Sequence, residues 1–276
     1  MKTIQQLKAL VRKKAHTDKL TFEIVLREYM FERFLERVAA SAYREQLILK
    51  GGLLVSSLVG IRLRTTMDAD VSLTGLTLSR QILEDMMTEI LAIPFDDAML
   101  FSLNGIDPIQ TEAVYPGVRV SVTASQERMR QILKIDIATG DVITPGAVDY
   151  EFPLMFENRT LRLKAYPIET ILAEKAETLL SRGTVNSRMR DFYDMHILST
   201  SKHVDRRIFR TALLKTMQRR NTSHLFEHRD PILRQVSASA ELTDYWRRYR
   251  LKNPFASNLT WTDITNSIHT LFSLLG

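Results

Sequence analysis

The most informative absence in this chain of 276 residues is that of cysteine. A chain without thiols forms no disulfide, builds no thiolate zinc site and carries no cysteine nucleophile. It also lacks any run of about 18 apolar residues, so no membrane span or membrane partner is expected. The N-terminus is basic but has no continuous apolar core, which favours an amphipathic helix over a signal peptide. These absences fit a protein of the reducing cytoplasm, which is the location that we expect.

The charge balance points towards phosphate-rich partners. The chain has 38 lysine and arginine residues against 32 acidic ones, which gives a net charge of +6. Such a surface favours nucleic acid or nucleotides. The alternative is a slightly basic soluble protein without such a partner. Hydrophobic residues make up 45% of the chain, enough for a substantial core.

Hydrophobic periodicity divides the chain into three regions. The first 45 residues have helical spacing, with Thr21 as a predicted N-cap. The next region mixes short helices, at 53–59 and 79–93, with strand-like segments. Strands are predicted at 47–49, 64–73, 118–122, 132–138 and 161–165, with a turn at Pro116-Gly117.

From Pro167 onward the spacing is helical, including one long helix expected over 231–249. We therefore predict an α+β fold of two domains. The first, 1–166, is a mixed sheet with helices and a helical lead-in. The second, 167–276, is all-helical. No internal repeat is present.

Asp68 and Asp70 are the first candidate site residues. Residues i and i+2 of a strand point to the same face, so the two carboxylates would lie side by side and repel each other. A divalent cation would justify that arrangement, because Mg²⁺ takes oxygen ligands and is commonly held by one or two carboxylates plus phosphates. Asp136, between two isoleucines in another predicted strand, could join them as a third metal ligand. The alternatives are two solvated surface acids and an exposed edge position.

Lys50-Gly51-Gly52 forms a predicted turn between a short strand and a short helix. Glycine permits close approach of a backbone to a ligand, and a helix N-terminus offers N–H groups to phosphate. Arg62 and Arg64, between this turn and the acidic strand, could clamp phosphates. An ordinary tight turn with solvated arginines is the alternative.

The helical region contributes a second group of candidates. Lys175 lies on the inward side of its predicted helix, where a lysine needs a partner such as a triphosphate, unless it extends to the surface. Asp191 and Asp194 share a helix face, and Arg190 could pair with an acid or with substrate phosphate. Surface ion pairing is the alternative for these residues.

Together these motifs resemble the AbiEii/MenT family of nucleotidyltransferase-like toxins, of the polymerase-β-like superfamily. Order and spacing match over residues 47–198. The matching motifs are Leu49-Lys50-Gly51-Gly52, Arg64-x-Thr66-x-Asp68-x-Asp70, Lys134-Ile135-Asp136-Ile137, Ala173-Glu174-Lys175 and Arg188-x-Arg190-Asp191-Phe192-Tyr193-Asp194.

The resemblance implies a polymerase-β-like nucleotidyltransferase core joined to a helical domain, with the active site between them. It implies that Asp68 and Asp70 ligate Mg²⁺, or Mn²⁺ in its place. It implies further that Lys175 contacts the nucleotide phosphates and that Asp191 is needed for catalysis. Members act as toxins of type IV toxin–antitoxin or abortive-infection systems, in phage defence. Some add nucleotides, often pyrimidines such as those from CTP, to the 3′ end of tRNA, and many have an antitoxin encoded beside them.

The functional hypothesis is therefore transfer of a nucleotidyl group from an NTP to an RNA 3′-hydroxyl, in which Asp136 or Asp191 readies the hydroxyl. One alternative is nucleotidylation of a protein partner. Another is an inactive fold that binds RNA or a partner, favoured by Leu53, because many nucleotidyltransferases have serine directly after the glycine turn.

Overall fold

The computed structural model describes residues 3–77, 79–109 and 117–276. Contacts divide the chain into two compact units. The first runs to Asp141 and includes Val148–Ala165, and the second consists of Val142–Ala147 and Tyr166–Gly276. Pro116 of the predicted turn lies outside the described residues. None of the helices in the described part combines the length and apolar character needed to cross a membrane.

The first unit is built on one seven-stranded mixed sheet in the order β3-β4-β5-β2-β1-β7-β6. Its β2–β5 and β1–β7 pairs are parallel, and the other neighbours are antiparallel. The strands are β1 (Leu47–Lys50), β2 (Asp68–Leu73), β3 (Leu100–Ile109), β4 (Gly117–Gln126), β5 (Met129–Thr139), β6 (Val148–Pro153) and β7 (Thr160–Ala165).

Four helices accompany the sheet: α1 (Ile4–Asp18), α2 (Phe22–Ala40), α3 (Gly51–Val59) and α4 (Arg80–Ala92). The predicted N-cap is confirmed, because the Thr21 hydroxyl accepts a hydrogen bond from the Ile24 N–H at 3.3 Å. The strand predicted over 64–73 is shorter than expected. Residues 64–67 are not part of it, and the Thr66 hydroxyl instead donates to the Asp68 carbonyl at 2.9 Å, in a local turn that leads into β2.

The second unit contains α5 (Ile168–Arg182), α6 (Met189–Ser201), α7 (Arg206–Arg219), α8 (Arg229–Ala238), α9 (Ala240–Lys252) and α10 (Trp261–Ser273). The single helix predicted over 231–249 is wrong. Ser239 has an extended backbone that ends α8, and its side chain caps α9 by accepting from the Leu242 N–H at 3.2 Å. The α+β fold class is confirmed.

Alternation along the strands gives the sheet one apolar face and one polar face. Ala69 and Val71 of β2 are buried with Ile135 and Ile137 of β5, whereas the aspartates between them in sequence point the other way. Side chains of α2, including Phe34, pack over the apolar face. Hydrophobic burial thereby fixes which face the aspartates occupy, because a slip of one residue would turn them into the core.

Helix α2 is buried on nearly all sides, although five of its buried residues are charged: Glu28, Glu32, Arg33, Glu36 and Arg37. Arg37 makes a two-pronged ion pair with Asp97, at 2.9 and 3.0 Å. Arg33 pairs with Glu157 at 3.0 Å. Buried charges are tolerated when they are paired, so these contacts tie α2 to the segments around the sheet.

Two carboxyl groups of α2, those of Glu28 and Glu32, are buried with little compensation from nearby cations. Burial raises the pKa of Glu28 to about 7 and the pKa of Glu32 to about 8. Glu32 Oε1 accepts a hydrogen bond from the Met155 N–H at 2.8 Å, whereas Oε2 is buried without a hydrogen-bond partner. Glu32 is therefore favoured in its neutral form within the folded protein.

We predict that the protein loses stability as pH rises from about 4.5 to about 8, in part because of Glu32. Across that window the unfolded chain has released the proton that the folded state still binds, so raising the pH favours unfolding. Glu32→Gln keeps the acceptor for Met155 and removes the titration. Urea unfolding at pH 5.5 and 8.5 measures this. Between the two pH values, the free energy of unfolding of Glu32→Gln should fall by less than that of wild type, with a difference of about 1 kcal/mol or more.

The matched control is Glu84→Gln on α4, an exposed residue paired with Arg80 at 2.8 Å. It should leave the pH dependence as in wild type. An unchanged pH dependence in Glu32→Gln would contradict the assignment.

Candidate functional site

A row of charged residues crosses the polar face of the sheet through five strands. In β-sheet register, Lys50 lies opposite Asp70, Asp70 opposite Asp136, Asp136 opposite Arg119 and Arg119 opposite Asp107. Directly opposed residues share a face of the sheet, so the signs along the row are plus, minus, minus, plus, minus. The central feature is a pair of like charges, Asp70 and Asp136, with a cation on either side.

Asp68 extends this row along β2. It lies two residues before Asp70, on the same face, and both side chains are half-buried. Lys134 of β5 lies opposite Asp68, as Asp136 lies opposite Asp70. The sequence-based expectation that a paired strand brings Asp136 beside the two aspartates is confirmed for their placement, whereas their roles stay predictions.

Sequence reasoning missed two residues of this row, Arg119 and Asp107, and Arg119 is the one that contacts an aspartate of the site. Its guanidinium donates from Nε to Asp136 Oδ1 at 2.7 Å and from Nη2 to Asp136 Oδ2 at 2.8 Å. This hydrogen bond, with the charges of Asp136, Asp68 and Asp70, raises the pKa of Arg119 above its usual value. The only sequence signal is its place in the alternation Val118-Arg119-Val120, which assigns it to the polar face.

The role of Asp136 as a third metal ligand beside Asp68 and Asp70 stays a prediction. Across the described ranges, no three histidine or acidic side chains converge closely enough to hold a metal ion. Both carboxylate oxygens of Asp136 are engaged by its two-pronged contact with Arg119. Asp68 and Asp70 are a donor set of the kind that Mg²⁺ uses, namely two carboxylates on one face of a strand.

The glycine turn is fitted closely against this acidic strand. Gly51 has a φ of +62°, and a Cβ atom there would lie 2.0 Å from Asp70 Oδ2. A Cβ at Gly52 would lie 2.6 Å from Thr66 Oγ1. The Gly52 N–H donates to Asp70 Oδ2 at 3.2 Å. The amide that was predicted to face a phosphate thus binds an aspartate of β2 in this structure.

Two of the three basic residues predicted near the turn, Lys50 and Arg64, have partners within the protein. Lys50 Nζ lies 2.6 Å from Asp141 Oδ2, with both side chains largely buried. Arg64 is 1% exposed and lies behind the turn, with its guanidinium 3.1 Å from where a Cβ of Gly52 would be. Its position is that of a support for the turn. The nucleotide contacts predicted for Lys50 and Arg64 stay predictions.

The residue after the turn, Leu53, is fully buried in the core. Ser56, one turn further along α3, is also buried, and its hydroxyl donates to the Arg64 carbonyl at 2.7 Å. The buried side chains of Leu53 and Ser56 therefore anchor the glycine turn to the core. Neither of these two side chains of α3 is therefore available to touch a phosphate.

The second unit has its own ionic group around Lys175 of α5. Lys175 Nζ lies 2.6 Å from Asp191 Oδ1 and 2.9 Å from Asp194 Oδ2, both on α6. Burial lowers the pKa of Lys175, but the two carboxylates more than offset this and leave it above its usual value. Asp194 is fully buried, whereas Arg190 is exposed and makes no ion pair within the described residues.

Comparisons with known proteins agree with this architecture. A family model described as the nucleotidyl transferase AbiEii toxin of type IV toxin–antitoxin systems matches residues 33–266. The structure of JHP933 from Helicobacter pylori is similar with a TM-score of 0.50 and 16% identity, covering 93% of each chain. A second H. pylori structure, with a provisional nucleotidyltransferase assignment, gives 0.49 and 17%, covering 93% of this chain and 96% of that one. No curated protein matches the chain.

We predict that Gly51→Ala destabilises the protein more than Gly75→Ala does. Both glycines have positive φ, +62° and +74°, so alanine is strained at either, but nothing lies within 4 Å of a Cβ at Gly75. The contact with Asp70 should cost Gly51→Ala a further 1–3 kcal/mol, roughly, in free energy of unfolding. Urea denaturation measures both variants. Equal losses would show that the turn does not need glycine to accommodate Asp70.

Proposed function

Since the chain belongs to the AbiEii family of type IV toxin nucleotidyltransferases, we propose that it transfers a nucleotidyl group from an NTP to an RNA 3′-hydroxyl in a Mg²⁺-dependent reaction. We propose tRNA as the RNA and CTP or another pyrimidine nucleotide as the donor. Extending the acceptor end would block aminoacylation and so translation. The observation that carries this proposal is the pair Asp68 and Asp70 on one face of β2, opposite Asp136 of β5.

Asp68 and Asp70 are the residues that would hold the metal ion. Two carboxylates close together are unfavourable by themselves, and oxygen donors of this kind are what Mg²⁺ prefers. When bound, the ion supplies positive charge that neutralises the triphosphate and the charge developing on the transferred phosphoryl group. The protein keeps these carboxylates in position through the apolar side of β2 and through the Gly52 N–H on Asp70.

The proposed reaction forms one bond and breaks one. The RNA 3′-oxygen attacks the α-phosphorus, the bond from that phosphorus to the bridging oxygen breaks, and pyrophosphate leaves. The 3′-hydroxyl proton passes to a base, for which Asp136 and Asp191 are the two candidates. Most of the acceleration would come from positioning and charge complementarity, since phosphoryl transfer requires little covalent participation by the protein.

The family assignment also supports a toxin role with a cognate antitoxin, acting in the cytoplasm where NTPs and tRNA are found. A partner that shields the polar face of the sheet would suppress activity without altering the fold. Nucleotidylation of a protein is the rival outcome. Treating labelled products with RNase distinguishes the two, because label on RNA is lost and label on protein is retained.

We predict that Asp68→Asn and Asp70→Asn each reduce transfer of α-³²P label from NTP to total tRNA by at least about 10³-fold, as expected for loss of a group that stabilises transition-state charge. Each of the four NTPs is assayed separately. The matched control is Asp149→Asn on β6 of the same sheet, an exposed acid 3.1 Å from Lys164, which should retain activity. Full transfer by either site variant would contradict the metal assignment.

We predict that Asp191→Asn abolishes transfer while the protein stays folded, because Lys175 retains its contact with Asp194. Lys175→Met should instead lose about 3 kcal/mol of stability, since it leaves the buried Asp194 carboxylate without its lysine. Lys175→Arg keeps the charge and should preserve the fold. Thermal unfolding and the label assay are read together for each variant.

Asp244→Asn, a surface acid of α9 paired with Arg247 at 2.6 Å, is the control in the same unit. Wild-type transfer by Asp191→Asn would remove Asp191 from the proposed machinery.

A further inference from the structure

Arg119 has a position that the proposed function does not account for. It is the cation next to the three aspartates, on the side of Asp136 away from β2. We propose that Arg119 is an internal counter-ion that competes with a divalent cation for Asp136, and that binding of the cation moves its guanidinium one strand outward to Asp107. This rests on the part of the proposed function that assigns metal binding to Asp68 and Asp70.

Asp136 is already held by Arg119. Both of its carboxylate oxygens accept from the guanidinium, at 2.7 and 2.8 Å. An oxygen that accepts a short, charge-assisted hydrogen bond has its electron density directed at that donor and is a poorer metal ligand. Arg119 and a divalent cation therefore compete for the carboxylate of Asp136.

Arg119 also relieves a repulsion between the carboxylates of Asp70 and Asp136. Asp70 and Asp136 lie directly opposite each other on parallel strands, which are separated by about 4.8 Å. Like charges in this arrangement are destabilising. Asp70 has compensation on its own side, where it accepts from the Gly52 N–H at 3.2 Å and lies opposite Lys50. Arg119 is thus the compensating charge for Asp136, and a bound divalent ion would take over that task.

Arg119 can leave Asp136 without disturbing the core. Its side chain is 37% exposed, whereas Arg33 and Arg37 of the structural ion pairs are 3% and 2% exposed. A guanidinium at the surface can change partner without opening the core. Asp107 of β3 lies opposite Arg119 on the outer side and is exposed, so a second carboxylate is available one strand away.

The experiment measures Mn²⁺ binding to the intact chain without nucleotide, by electron paramagnetic resonance of the free ion. Arg119→Gln should bind Mn²⁺ about tenfold more tightly than wild type, since one unit charge acting on a divalent ion across about 6 Å of water-like dielectric changes the affinity by roughly that factor. Asp107→Asn should bind severalfold more weakly, because it removes the alternative partner of Arg119.

Two controls separate this effect from general charge. Arg162→Gln on β7 removes an arginine that is 65% exposed and paired with Asp149, so it changes the net charge equally and should leave Mn²⁺ affinity within about twofold. The double variant Arg119→Gln with Asp136→Asn removes both partners and should return to near wild-type affinity. Urea unfolding confirms that each variant is folded.

Unchanged or weaker Mn²⁺ binding in Arg119→Gln, with wild-type binding intact, would overturn the counter-ion role alone and leave the metal site standing. Absence of Mn²⁺ binding in every variant, including wild type, would overturn the metal site of the proposed function and the counter-ion role with it. The tenfold gain in Arg119→Gln together with the loss in Asp107→Asn supports the proposal.

Discussion

The repulsion between Asp70 and Asp136 is the constraint around which the polar face of the sheet is organised. Their strands are parallel neighbours in register, so the sheet holds the backbones of the two aspartates side by side. Each is therefore compensated locally, Asp70 by the Gly52 N–H at the start of α3 and Asp136 by Arg119. Both contacts compensate negative charge at this place, a task that a bound divalent cation could take over.

Support for this arrangement comes largely from side chains that do not contact the aspartates. The apolar side of β2 and β5 packs under α2, and α2 is joined to its surroundings by buried ion pairs such as Arg37 with Asp97. Arg64 and Ser56 fill the space beneath the glycine turn. Residues that resemble phosphate ligands in sequence, Arg64 above all, thus contribute by fixing the backbone, and the charged groups at the surface are left free to change partners.

Much of this was accessible from sequence, for reasons that differ from residue to residue. The spacing of Asp68 and Asp70 implies a shared strand face because the period of a strand is two. Thr21 was predictable as a cap because the signal is local. Arg119 was not, since its contact with Asp136 depends on which strands pair and in what register, and neither is encoded locally. The burial of five charged residues of α2 likewise depends on tertiary neighbours. No glycine or proline marks the break between α8 and α9 at Ser239. The helical spacing continues through it, and the capping hydroxyl of Ser239 outweighs that pattern.

The central claim is that Asp68 and Asp70 together hold a divalent cation. A crystal structure of the protein grown with Mn²⁺ and a non-hydrolysable CTP analogue, with anomalous diffraction data collected at the manganese edge, tests it most directly. We predict an anomalous peak at coordination distance from one carboxylate oxygen of each aspartate, with phosphate oxygens of the analogue completing the coordination shell of the manganese ion. Manganese bound elsewhere on the chain, with Asp68 and Asp70 left without it, would contradict the account.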